Sequence, residues 1–538
     1  MESTTLGHML RRTVDRDPSK TALIVDDLEF TYAQVLQRSS EFARSFAGLG
    51  VSRGDHVGLL LPNSPDFVFS FFGLQLLGAV AVPINTRFRK RELGHVARNA
   101  DLTLLVTTDM IVEHVDFVER VTETLPELEQ QHDPHHLELT AAPRLQSVVL
   151  FGDRTVPGML TRDDFSAAAA RATTDAHEVT PTDAGDTAMM LYTSGTTAHP
   201  KGCLLTHDGV LHVWASVADR LRIGREDRIW DALPLFHMSC LGPLLFTFNL
   251  GATLITSVHF EPSTALDAIE SQRATWLYSV FPPIVMGLIK DPSFADRDLS
   301  SVRALLNVAP PDTMEVIQDA FDPAVHVGGH FGMTEASGAI TCNEWDAPSD
   351  RRLHTTGEVL PDTDLRVTDD EGRSLPAGEK GELRIRGRGL FAGYYGDPEA
   401  TASSFEDGWF CTGDLGVVDE HGSVTYLGRI KDMIKVGGEN LAPSEVESHL
   451  STHPDLKLVQ VVGVPDERLG EVPVAFVELV EGATLTEEEV IDFCVGAIAS
   501  FKVPRHVVFV TEWPMSATKI QKFRLQEMFA SMQTQTSS

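Results

Sequence analysis

At 538 residues the chain is too long for one hydrophobic core, and length alone predicts roughly three or four domain-sized units. Hydrophobic residues make up 42% and charged residues 22%, the values of an ordinary packed globular protein. The formal net charge of −33 excludes a nucleic-acid partner, whose phosphates need a basic face. The same charge sets a condition on any anionic small ligand. Surface charge is screened over about 8 Å at physiological salt, so cations placed locally in a cleft must prevail there.

The N-terminus, Met1 to Pro18, has no apolar h-region, and no secretory signal is read from it. Cys203, Cys240, Cys342, Cys411 and Cys494 are scattered without a CxxC pair, the pattern of reduced thiols in a cytoplasmic protein. Thr31 to Leu49 is predicted as a helix, opened by a Thr31-x-x-Gln34 capping box and closed by Gly50; His56 to Leu61 follows as a strand. Phe67 to Ile84 is apolar enough to suggest a membrane helix. Gly73, Gly78 and Pro83 interrupt it, so a buried helix followed by a buried strand is expected and no transmembrane segment.

Strand–helix alternation continues to about residue 330, predicting an α/β fold of layered sheets covered by helices. Glu123 to Gln146 and Asp163 to Asp186 are expected to be loops. His132, His135 and His136 in the first are read as solvated, since no carboxylate or Cys pattern supports a metal. From Gly357 to Tyr426 the pattern changes to short strands with Gly and Pro turns. A compact α+β unit follows Arg429 and ends in a frayed polar tail, Gln533 to Ser538.

Tyr192-Thr-Ser-Gly-Thr-Thr-Ala-His-Pro-Lys-Gly202 is the most informative segment. Its small hydroxyl residues and glycines let backbone N–H groups approach phosphate oxygens, and Lys201 adds a point charge. It is not a Walker loop, because Pro200 and Gly202 take the places where that motif has Gly and Ser/Thr. The segment resembles the phosphate loop of the adenylate-forming superfamily: acyl-CoA synthetases, adenylation domains and luciferases. Further matches follow in order: Pro234-Leu-Phe-His-Met238, Phe331-Gly-Met-Thr-Glu335, Thr412-Gly-Asp414, Gly428-Arg-Ile-Lys431 through Gly437-Gly-Glu-Asn440, and Lys519-Ile-Gln-Lys522. The resemblance spans about Thr31 to Leu525. Two positions depart from it: Ala198 stands where Gly is usual, and the segment before Lys519 lacks a Gly and is one residue short.

The resemblance implies a large N-terminal domain of layered sheets and helices, residues 1–428, and a small mobile α+β domain, residues 429–538, hinged at Lys431. It implies ATP binding by Thr193, Ser194, Gly195, Thr196, Thr197, Lys201, Phe331, Thr334, Asp414, Arg429 and Lys519, with Phe331 stacking on adenine and Asp414 and Arg429 on the ribose. Thr196 and Glu335 would hold Mg²⁺, and Lys519, Glu335, Thr334 and His237 are the candidate catalytic residues. His237, Asn307, Gly329 and Met333 are expected in the acyl pocket, and Lys431, Gly437 and Gly438 at the hinge and the coenzyme A channel. Lys502 and Arg505 are candidates for the coenzyme A phosphates, with a solvated-face reading beside them.

The implied activity is an ATP-dependent acid–CoA ligase acting through an acyl-adenylate. Parts such as Met433-Ile-Lys-Val-Gly-Gly-Glu-Asn440 and Phe501-Lys-Val-Pro504 are similar to fatty-acyl and carnitine-type ligases. The implied partners are an organic acid, ATP and coenzyme A, with a homodimer as the candidate assembly. Two alternatives stay open: a stand-alone adenylating enzyme that loads a carrier protein, and a non-catalytic nucleotide-binding regulator. Joint retention of Lys519, Glu335 and Asp414 speaks against the second.

Overall fold

Two mostly parallel sheets make up the larger part of the chain in a computed structural model that describes residues 4–172, 182–193, 200–437, 439–466, 468–516 and 519–536. One sheet runs through Ser147–Phe151, Leu104–Thr108, His56–Leu59, Val80–Pro83, Thr187–Thr193 and Lys201–Thr206, antiparallel only at the last pairing. The other runs through His326–Gly328, Ala304–Leu306, Trp276–Tyr278, Arg228–Trp230, Thr253–Thr256, Thr21–Val25 and Leu28–Thr31, again antiparallel only at its last edge. Parallel strands covered on both faces read as continuous apolar runs rather than alternating ones. Val80–Pro83, Leu104–Thr108 and Ser147–Phe151 are accordingly buried at every position.

The capping box predicted from sequence forms: helix Tyr32–Gly48 starts with the Thr31 hydroxyl accepting from the Gln34 amide while Gln34 accepts from the Thr31 amide. The apolar run becomes helix Pro65–Leu77 and strand Val80–Pro83. Gly78 ends the helix at φ 71°, a left-handed conformation that favours glycine. This helix is buried on all sides from Phe67 to Leu77, packed on helices Tyr32–Gly48 and Leu6–Arg16, which explains its uniform hydrophobicity. Among the described residues no helix is long and apolar enough to cross a membrane.

Two expectations need correction. The supposed loop from Asp163 contains helix Arg162–Ala168 and a 3₁₀ turn, Ala169–Arg171. Its capping box uses Asp164 in place of the usual Glu or Gln, and Phe165 anchors it against Phe42, Phe46 and Phe151. The supposed frayed tail is helical through Thr536, as part of Lys522–Thr536. Once Leu525 and Phe529 are packed, each added turn costs little, so polar residues extend the helix.

An antiparallel sheet follows, ordered Thr363–Thr368, Gly381–Gly387, Trp409–Val418, Phe405–Glu406, with Val424–Arg429 paired to Trp409–Val418. The smaller C-terminal domain is built on Glu439–Leu441, Ile434–Val436, Gly470–Leu479 and Leu456–Asp466, with His506–Phe509 parallel to Gly470–Leu479. Helices Pro443–Ser451, Glu487–Cys494 and Lys522–Thr536 cover it. Among the described residues its hydrophobic clusters draw on none before Ile434, so it has a core of its own.

Candidate active site

A cleft of about 1640 Å³ lies between the two domains, at the carboxyl ends of strands from both parallel sheets. Open α/β sheets bind ligands at that end. Among the described residues, basic and acidic side chains line the cleft in equal number, although the whole chain carries −33. Cations there offset the anions without outnumbering them, so the condition set by net charge is met only in part.

Asp414 and Arg429 face each other across two antiparallel strands. Trp409–Val418 alternates buried and half-buried positions, which turns Phe410, Thr412 and Asp414 inward. The register sets Asp414 opposite Arg429, whose Nε lies 2.8 Å from Asp414 Oδ1. Arg429 Nη1 also donates to the Thr412 carbonyl, at 3.3 Å. Burial pulls the guanidinium down, but Asp414, Tyr426 and Glu335 outweigh it and hold Arg429 above its usual range. The result is a fixed carboxylate and a fixed fork of N–H donors, a good match for a sugar diol beside a phosphate.

The Phe331 ring stacks on Tyr426, with centroids 5.2 Å apart and planes 18° apart, and both line the cleft as an aromatic platform. Four residues on, the 3₁₀ turn Thr334–Ala336 carries Glu335, which is 8% exposed. Tyr394 Oη donates to Glu335 Oε1 at 2.9 Å, and Lys201 Nζ sits 4.8 Å from the centre of the Tyr394 ring. Burial, then the Glu335 charge, pushes the Tyr394 phenol up, so it remains a donor to the carboxylate. Sequence reasoning did not single out Tyr394 or Tyr426. The only local sign of Tyr394 is the aromatic pair after Gly393.

Among the described residues no group of three or more His, Cys, Asp or Glu could cage a metal ion. Glu335, a buried carboxylate that lines the cleft together with Thr193 and Thr334, instead suits Mg²⁺, which is commonly held by one or two carboxylates together with a nucleotide's phosphates. Tyr394→Phe removes the phenol that fixes Glu335. The expected result is about a tenfold fall in kcat/KM for the nucleotide with little change in melting temperature. Unchanged kinetics would mean that Glu335 is positioned by its turn alone.

The apolar end of the cleft is formed by Trp214, Met238, Phe281, Met286 and Met333. His237 caps helix Met238–Leu250, and its Nδ1 accepts from the Ser239 amide at 3.1 Å, so the neutral ring carries its proton on Nε2. Trp214 donates from Nε1 to the Ser337 carbonyl at 2.8 Å, and its indole presses on Gly242 and Gly338. A Cβ on Gly242 would lie 2.0 Å from the indole, and one on Gly338 2.7 Å from it. His237 and Met333 line the cleft, whereas Asn307 and Gly329 do not: both are buried in the wall behind it. His330, which does line the cleft, is held down to about 4 by burial and is therefore neutral, with Nε2 3.3 Å from Tyr278 Oη.

Lys431 lines the cleft in the 3₁₀ turn Ile430–Asp432 between the domains, while Gly437 does not reach it. Ile520, Gln521 and Lys522 of the C-terminal domain do. Lys519 contributes backbone pairing to Ser516, immediately before them. Lys502 forms an ion pair with Glu445, and neither it nor Arg505 lines the cleft. Ser194, Gly195, Thr196, Thr197 and Ala198 of the phosphate loop, Gly438, and the Lys519 side chain lie outside the described residues.

The model of the AMP-binding enzyme family matches residues 10–395, and that of the AMP-binding enzyme C-terminal domain matches residues 445–519. The putative acyl-CoA synthetase YngI of Bacillus subtilis (strain 168) is 33% identical over 99% of this chain and 98% of its own. The mitochondrial medium-chain acyl-CoA ligase ACSF2 of Homo sapiens is 32% identical over 98% and 88%. The anthranilate CoA ligase AuaEII in complex with anthranoyl-AMP superposes with a TM-score of 0.84 at 28% identity, covering 98% of both chains. MatB from Rhodopseudomonas palustris, 29% identical over 98% of this chain and 99% of its own, scores 0.81 when ATP-bound and 0.71 when apo. The chain belongs to the AMP-binding enzyme family, as an acyl-CoA synthetase of the adenylate-forming superfamily.

Proposed function

We propose that the chain joins an organic acid with an alkyl or cyclic body to coenzyme A in two steps within one cleft. The observation that carries this reading is the meeting of four elements there: the Asp414–Arg429 pair, the Phe331–Tyr426 platform, Glu335 held by Tyr394, and the Ile520–Lys522 segment. A carboxylate is a poor electrophile because oxide leaves badly. Its attack on the α-phosphorus of ATP expels pyrophosphate and makes a mixed anhydride whose leaving group is AMP. The thiol of coenzyme A then attacks the acyl carbon, and AMP departs.

In this reading Phe331 receives the adenine, Asp414 accepts from the ribose hydroxyls, and Arg429 donates to the ribose. Thr334 and Lys201 meet the phosphates, with the phosphate-loop hydroxyls from Thr193 to Thr197. Mg²⁺, held at Glu335 and Thr196, supplies charge stabilisation on those phosphates when bound. Lys519 stabilises the charge that develops on them during adenylation. His237 and Met333 border the acid, and the apolar wall favours an alkyl or ring body over a highly charged one.

The boundary at 428/429 and the Lys431 hinge belong to the same reading. Rotation there brings Lys519 to the cleft for adenylation and the Gly437–Gly438 segment for thioester formation. The higher score against ATP-bound than apo MatB, at equal identity and coverage, supports an adenylating arrangement, as does the absence of Gly437 from the cleft lining. A cytoplasmic, homodimeric protein completes the reading; the five free cysteines support a reducing compartment.

The test is a panel of aliphatic and aromatic acids assayed for pyrophosphate release with ATP, magnesium and coenzyme A. An acid–CoA ligase forms AMP in proportion to coenzyme A consumed. Exchange of pyrophosphate into ATP without consumption of coenzyme A would favour the carrier-protein reading. No acid-dependent exchange with any acid would favour a non-catalytic binder.

A further inference from the structure

Two helices wall the acyl end of the cleft, and each carries one bond across to the C-terminal domain. Helix Pro282–Lys290 presents Pro282, Pro283 and Met286 to the cleft. At its last residue Lys290 Nζ donates to the carbonyl of Leu456, 2.9 Å away, where strand Leu456–Asp466 begins. Helix Pro311–Ala320 presents Thr313 and Val316, and its first-turn Asp312 accepts from Ser448 Oγ at 3.1 Å, on helix Pro443–Ser451. The acid-facing surface and the domain-facing contacts are therefore on the same two rigid elements.

We propose that Lys290 and Asp312 are positioning residues that couple occupancy of the acyl pocket to docking of the C-terminal domain in its adenylating arrangement. An acid body packed on Met286 and Val316 sets the axes of both helices, and with them the two donor–acceptor pairs. Coupling of this kind is reciprocal: what the acid adds to docking, docking adds to acid affinity. Burial, then the nearby Lys457 ammonium, holds Lys290 below the usual lysine range, so its contact with the Leu456 carbonyl offsets part of a desolvation cost. The inference rests on the two-step reading above, with the two half-reactions using different domain arrangements.

The first measurement uses no substrate. Fluorophores on Glu226→Cys and Glu481→Cys, one in each domain and both exposed, report the docked fraction by energy transfer. Lys290→Met keeps the aliphatic stem and removes the donor. The docked fraction of the ligand-free protein should fall in Lys290→Met and recover in Lys290→Arg. In the second measurement, with the best acid of the panel, pyrophosphate exchange should slow about tenfold and KM for the acid should rise. Thioester formation from preformed acyl-adenylate should not slow. Ser448→Ala, which breaks the other bond without touching the acyl wall, should act in the same direction if Lys290→Met does not fold. An unchanged docked fraction in both variants, or equal loss in both half-reactions, overturns the coupling. Failure of every acid in the panel would instead overturn the ligase reading and leave the docking result standing on its own.

Discussion

Lys519→Ala is expected to lower acyl-adenylate formation by about 10²- to 10³-fold, while thioester formation from preformed acyl-adenylate persists. The C-terminal segment that meets the cleft is short. Its hairpin pairs Met515 with Ile520 and Ser516 with Lys519, and the next residues, Ile520 to Lys522, line the cleft. The other lysine of this segment is already committed: Lys522 Nζ donates to Glu447 Oε1 at 2.6 Å and to the Val461 carbonyl at 3.1 Å, both within its own domain. With Lys522 held in its own domain, Lys519 is the lysine of this segment that the proposed mechanism assigns to the triphosphate. The check is pyrophosphate exchange measured beside single-turnover thioester formation on one preparation. Equal loss in both would assign Lys519 a structural role or a part in both steps.

Glu335→Gln should cut kcat/KM for MgATP by a similar factor and raise the magnesium concentration needed for half-maximal rate, with little change in KM for the acid. The substitution is informative because of what it preserves. A glutamine carbonyl still accepts from Tyr394 Oη, so the 3₁₀ turn and the phenol stay paired, and only the charge is lost. Tyr394, with Lys201 over its ring, and the nearby Arg429 then face a neutral group. An unchanged magnesium dependence would move the metal assignment away from Glu335.

Much of this site was legible in the sequence because its parts are contiguous. Each motif is a short contiguous stretch that carries the family resemblance: Phe331 with Thr334 and Glu335 spans a strand end and a 3₁₀ turn, and Thr412-Gly-Asp414 lies within strand Trp409–Val418. Capping was legible for the same reason, as Thr31 and Gln34 show. What could not be read depends on register or on distant packing. Nothing local says that Asp414 will face Arg429, a consequence of a ladder that shifts between Leu415 and Gly416. Tyr394 reaches Glu335 from 59 residues away. The anchors Lys290 and Asp312 look like ordinary helix-end charges until the C-terminal domain is in place. The Arg162–Ala168 helix was missed because Ala- and Asp-rich composition suggested a loop, whereas Phe165 and the Thr161–Asp164 cap decide it.

The contact of Trp214 with Gly242 and Gly338 also fixes an order in which the acid pocket can be remodelled, whether by selection or in the laboratory. A side chain of any size at either glycine meets the indole first, at 2.0 or 2.7 Å, so mutations there are barred while Trp214 is present. A reduction of Trp214 has no such barrier, and it vacates space next to the apolar end of the cleft. Only after that step does position 242 become variable, whereas Gly338 stays constrained, because its φ of 104° disfavours a Cβ whatever the space. Positions 214 and 242 are sign-epistatic: the same substitution of Gly242 is destructive in one background and admissible in the other. A library that varies the glycines singly will therefore read this wall as immutable, while one that begins at Trp214 will find it adjustable.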